Sequence, residues 1–91
     1  AMARTGVDGW MADFGEGLPF HAALHAGSAA AEHNRYPERW AELNRAVIDA
    51  DGRGAERLFF LRAAYTRSPR SATLFWLGDQ LTSWDAHDGI K

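Results

Sequence analysis

Two apolar runs stand so close together in this chain that few folds can hold them. Residues 58–65 read LFFLRAAY and residues 73–77 read TLFWL. Near-continuous apolar runs of this length fit strands buried on both faces, the habit of parallel sheets in α/β proteins. Parallel neighbours need a crossover connection, and a helical one takes about ten residues or more. Only the connection 66–71, TRSPRS, and Ala72 lie between the two runs. A single helical turn or an irregular connection is expected there.

A third strand is expected over residues 9–14, GWMADF, with a break directly after it at Gly15, Gly17 and Pro19. Between the first strand and the second lies a helical pattern. Tyr36, Trp40, Leu43 and Val47 recur at helical spacing and share one face. Pro37 fits the first turn, Glu38 suits the positive end of the helix dipole, and Gly52 and Gly54 mark the exit. The alanine-rich stretch 22–32 reads as a short helix or an ordered loop, and residues 84–91 read as the start of another helix. The organisation is α/β, with about three parallel strands and one main helix. Three strands leave two open edges, and open apolar edges invite pairing with another chain.

With 91 residues the chain is one small domain at most, and a domain of that size is marginally stable without help. Disulfides and thiolate metal sites are excluded because there is no cysteine, which fits a reducing compartment. Self-association or a metal remains. His21, His25 and His33 could line up on a helix, but they lack a fourth ligand and a recognisable motif. No metal and no cofactor is expected, and the histidines are assigned to loops and surfaces. His87 belongs to the helix start and needs no special role. A net charge of −2 gives no footprint for nucleic acid. No apolar run is long enough to cross a membrane, and the N-terminus has no signal-peptide core. Four Trp and five Phe are a heavy aromatic load, which serves core filling, sugar contact or an interface.

Asp13 closes the first apolar segment, with Glu16 beside it, and Asp79 follows the third. In α/β folds the C-terminal ends of the strands form the functional face. Two acids there could perform glycoside hydrolysis, one attacking the anomeric carbon and the other protonating the departing oxygen. Taken by itself, an Asp at a strand end is more often a turn former or a helix cap than a catalytic acid.

The motifs in sequence carry a resemblance. Gly9-Trp10-Met11-Ala12-Asp13-Phe14-Gly15-Glu16 resembles the nucleophile segment of glycoside hydrolase family 31, in the branch of bacterial α-glucosidase-like sulfoquinovosidases. His33-Asn34-Arg35-Tyr36-Pro37, then Trp40-Ala41-Glu42-Leu43-Asn44, then Phe59-Phe60-Leu61-Arg62-Ala63, resemble the family's succeeding parts. Thr73-Leu74-Phe75-Trp76-Leu77-Gly78-Asp79-Gln80 resembles its acid/base segment. The likeness runs from Gly9 onward, and its specificity lies in several motifs in the right order and spacing. It implies that Asp13 is the nucleophile of a retaining α-glycosidase and Asp79 the acid/base. It further implies that Arg62 and Trp76 belong to the substrate subsite, with Glu16 as a third motif residue near the substrate. Arg67 stands where the family usually has Gly, so a departure in the shape of loop 66–71 is expected.

The resemblance also implies that residues 1–91 are a single segment of a (β/α)8 barrel, corresponding to its fourth to sixth strands. Such a barrel takes about 250 residues. The chain is therefore expected to be a fragment of a bacterial, cytoplasmic enzyme, inactive alone and completed by homo-oligomerisation with segment swapping. Carbohydrate would be the parent's partner, and the chain's own partner another copy of itself. Two alternatives follow from the same residues. Oligomerisation could rebuild a working pocket, or the aromatics could serve a carbohydrate-binding module without catalysis.

Overall fold

The computed structural model describes residues 2–50 and 52–89. Strands β1 (Gly9–Ala12), β2 (Leu58–Leu61) and β3 (Leu74–Phe75) form one sheet in the order β1-β2-β3, and both pairings are parallel. Trp10 lies opposite Phe59, Ala12 opposite Leu61, and Leu61 opposite Phe75. The expected α/β arrangement of three parallel strands and one main helix is present. Each strand is shorter than its apolar run. β1 stops where the backbone turns sharply after Asp13. Among the described residues β3 is held from one side only, with one further rung, the Trp76 amide donating to the Leu61 carbonyl.

Side chains alternate across a strand, so the register sorts them into two faces. Trp10, Ala12, Phe59, Leu61 and Phe75 face the main helix, and with Ala41, Ile48 and Ala72 they make the core. Fully burying a side chain such as Ile48 or Leu61 contributes about 1.5–3 kcal/mol. The opposite face carries Met11, Leu58 and Leu74, which stay 53%, 48% and 45% exposed. Burial on both faces, expected from the continuous apolar runs, is therefore realised on one face. Nothing among the described residues forms a layer over the other.

The short helix α1 (Ala29–Glu32) is capped by Ser28, whose Oγ accepts from the Ala31 amide. Helix α2 (Tyr36–Ala50) follows, with Pro37 in its first turn and an Arg45–Asp49 pair one turn apart near its end. Of the face predicted from Tyr36, Trp40, Leu43 and Val47, Trp40 packs against the core and the rest does not. Leu43 and Val47 are largely exposed, whereas Pro37, Glu38, Ala41, Asn44 and Ile48 are buried. Ala41 lets the helix lie close to the sheet, and Asn44 joins two aromatics: it accepts from the Trp10 indole at 2.8 Å and donates to the Trp40 carbonyl.

The 66–71 connection contains a 3-10 turn, Ser68–Arg70, the first of the two outcomes expected. Arg67 has φ −106°, an ordinary angle for a side-chain-bearing residue, so no glycine is needed there. Its loop is fastened to α2 by Glu38. One Glu38 oxygen accepts from the Thr66 hydroxyl and the Arg67 amide, both at 2.8 Å, and the other takes the Arg67 guanidinium at 3.2 Å. The helix expected at 84–91 is not formed over the described residues, where a single turn stands instead. Asp85 Oδ1 accepts from the His87 and Asp88 amides, and the Gly89 amide donates to the Asp85 carbonyl. Residues 90 and 91 lie outside the described residues.

Candidate active site

The three strands point the same way, so their C-terminal ends share one rim of the sheet. Asp13 directly follows β1, Arg62 directly follows β2, and Trp76 and Asp79 follow β3. Arg62 is central, because β2 lies between the other two strands. Its Nη1 approaches Asp13 Oδ1 at 3.4 Å, and its Nη2 donates to Glu16 Oε1 at 2.6 Å. The Phe14 ring lies against its flat face, 4.7 Å from Cζ.

The turn that gathers these groups is unusual. Phe14 has φ 60° and Gly15 φ 91°, two left-handed residues in succession. For Phe that conformation costs of order 1–3 kcal/mol. At Gly15 it is relieved by the missing side chain, and a Cβ would lie 2.5 Å from Trp40 Cδ1. The Phe14 amide donates to Asp13 Oδ1 at 2.7 Å, which fixes the start of the turn. Gly78 is left-handed too, with φ 92°, and turns the chain immediately before Asp79.

Charge follows geometry. The Arg62 pKa is raised, first by the hydrogen bond to Glu16, against an opposing desolvation cost, and then by the charges of Asp13, Glu16 and Asp79. Asp79 itself is exposed and interacts with Arg62 through charge. Trp76 packs edge-on against Phe60, ring centroids 5.2 Å apart, on the uncovered face. The structure thus brings Asp13, Arg62 and Glu16 into contact, sets Asp79 within electrostatic reach of Arg62, and leaves Trp76 against Phe60.

Three residues of this region were not named as site residues from the sequence. Phe14 packs under Arg62, and Tyr36 and Trp40 join Asp13, Phe14, Gly15 and Gly17 in lining a groove of about 450 Å³. The Phe-Gly pair after a strand was the available signal for Phe14. The histidines behave otherwise. His21 and His25 are exposed, while His33 stacks on Phe20 and pairs through Nδ1 with the Leu18 carbonyl. Among the described residues, no group of three or more His, Asp or Glu is placed to hold a metal ion. No described helix is long and apolar enough to cross a membrane.

Comparison with known proteins extends the picture. The glycosyl hydrolases family 31 TIM-barrel domain matches residues 1–89. A sulfoquinovosidase of Escherichia coli K12 is 44% identical over 90 residues, which is 98% of this chain and 13% of that protein. A sulfoquinovosidase of Agrobacterium fabrum is 43% identical over 90 residues, 98% of this chain and 14% of that protein. A family 31 sulfoquinovosidase from E. rectale, solved with an aza-sugar inhibitor, superposes with a TM-score of 0.86 at 38% identity, over 96% of this chain and 13% of that one. This chain therefore spans about one-eighth of the length of the relatives it matches.

Proposed function

This chain belongs to glycosyl hydrolases family 31, and on that premise we propose that it is the part of a retaining α-glycosidase barrel that carries both catalytic carboxylates. Asp13 is the nucleophile: its carboxylate attacks the anomeric carbon and forms a glycosyl ester as the bond to the leaving oxygen breaks. Asp79 is the acid/base: it gives its proton to that oxygen, then takes one from the water that cleaves the ester. Arg62 and Trp76 line the substrate side of the rim. The observation that carries this reading is the position of Arg62 on the central strand, in contact with Asp13 and within the field of Asp79.

The likeness to sulfoquinovosidases favours a sulfonated α-glycoside as the parent's substrate, in a bacterial cytoplasmic enzyme. By themselves the 91 residues are proposed to be inactive, because groups on most of a barrel's strands are needed to hold a sugar within a fraction of an ångström. They are proposed to self-associate instead. Support comes from the apolar side chains Met11, Leu58 and Leu74 on the open sheet face, and from β1 and β3, each paired on one side.

The test is an assay with an aryl α-sulfoquinovoside and the matching aryl α-glucoside, run beside size exclusion with light scattering. No turnover of either, in a species larger than one chain, is expected. Turnover abolished by Asp13→Asn would instead mean that association rebuilds the pocket. A folded monomer at micromolar concentration would overturn the self-association.

A further inference from the structure

Both contacts to Asp13 fall on one of its oxygens. Oδ1 accepts from the Phe14 amide and makes the nearest approach to Arg62, at Nη1, while no hydrogen bond among the described residues goes to Oδ2. An arginine beside a carboxylate prefers to grip both oxygens through two parallel bonds. Arg62 does not. Its second arm, Nη2, is taken by Glu16 Oε1, and that contact is the shorter one, at 2.6 Å against 3.4 Å for Asp13. Phe14 beneath the guanidinium holds its plane.

Glu16 reaches Arg62 only because the chain turns back. Had β1 continued, residue 16 would lie three residues beyond Asp13 along the strand and point to the opposite face. The left-handed pair Phe14 and Gly15 reverses the chain instead. Strain of this kind persists where the surroundings enforce it, and it is often tied to function.

We infer that Glu16 is a positioning residue: by taking one arm of Arg62 it keeps the guanidinium from closing on both oxygens of Asp13, and so leaves Oδ2 open to react. This rests on the reading of Asp13 as nucleophile given above. It also changes the role of Glu16, which acts on the arginine and not on the sugar.

The test reads the reactivity of carboxylates in the 91-residue chain, not turnover, so it can fail independently of the glycosidase reading. Folded protein is labelled with a water-soluble carbodiimide and an amine, and incorporation at each acid is mapped by mass spectrometry. In Glu16→Ala, labelling of Asp13 should fall about fivefold as Arg62 closes on it, with Asp79 unchanged. Glu16→Gln, which keeps the shape of the side chain, should give a smaller fall. Glu16→Ala with Arg62→Ala should restore labelling. Loosening of the fold would act in the opposite direction, raising Asp13 and Asp79 together and releasing the Trp10 indole N–H from Asn44 in the NMR spectrum. Unchanged or raised labelling of Asp13 in both Glu16 variants, with that indole signal in place, would overturn the inference.

Discussion

Two arginine–carboxylate groups of this molecule are built differently. Glu38 is 3% exposed and receives a hydroxyl, an amide and a guanidinium, so its carboxylate is fully engaged and its pKa is held down to about 2. The hydrogen bond from Thr66 contributes most to that depression, followed by the Arg67 amide. Asp13 is half-exposed, shares Arg62 with Glu16, and has one oxygen that takes no hydrogen bond among the described residues. The first group joins a helix to a loop under regular backbone. The second stands on two left-handed residues. A carboxylate that stabilises a fold is satisfied on all sides, whereas one proposed to react is held from one side.

The sharpest way to break this contrast is to disturb the buried half. Leu61→Ala removes a side chain with no exposed surface from the centre of the sheet, and should lower stability by about 2–5 kcal/mol in urea unfolding. A loss below about 1 kcal/mol would mean that the core is not closed there. Next comes the strained turn. Gly15→Ala puts a Cβ against Trp40 at a positive φ, and should cost about 1–3 kcal/mol and release the Trp40 indole from the Ala12 carbonyl. A neutral outcome would show that the turn relaxes freely.

A smaller effect separates the two carboxylates by pH. Glu38 ionises well below its ordinary 4.5, so its stabilising effect is complete above that value and is lost as pH falls from about 4.5 toward 2. Asp85, also held below its ordinary range by backbone amides, adds to the same slope. The urea midpoint of the native chain should fall across this window. Glu38→Gln should flatten the fall, and an unchanged slope in that variant would remove Glu38 from the account. The smallest effects belong to the rim. Asp13→Asn and Glu16→Gln should leave the urea midpoint within the scatter of repeats, because exposed ion pairs contribute little. A large loss in either would erase the distinction between the groups.

Much of the architecture was legible in the sequence because it is written in local pattern. Apolar runs placed the three strands, and Pro37 and Gly52 bracketed α2. The shortness of 66–71 limited the connection to a turn. What could not be read depends on partners far apart in the chain. The packing face of α2 was misassigned because Ala41 and Asn44 do not stand out in a hydrophobic count, although one fits under the sheet and the other bonds two tryptophans. Glu38 looked like an ordinary first-turn acid, since its partners lie 28 and 29 residues away. The rim was legible as a set of residues through family resemblance. Its internal wiring, with Glu16 on Arg62 across 46 residues, was not.

The strand order β1-β2-β3 repeats the order of the chain, so the two aspartates and the arginine between them occupy one uninterrupted stretch of sequence. A single genetic exchange could carry that stretch from one barrel to another without separating them. Recombination would then deliver the two aspartates together with the arginine and the left-handed turn beside them.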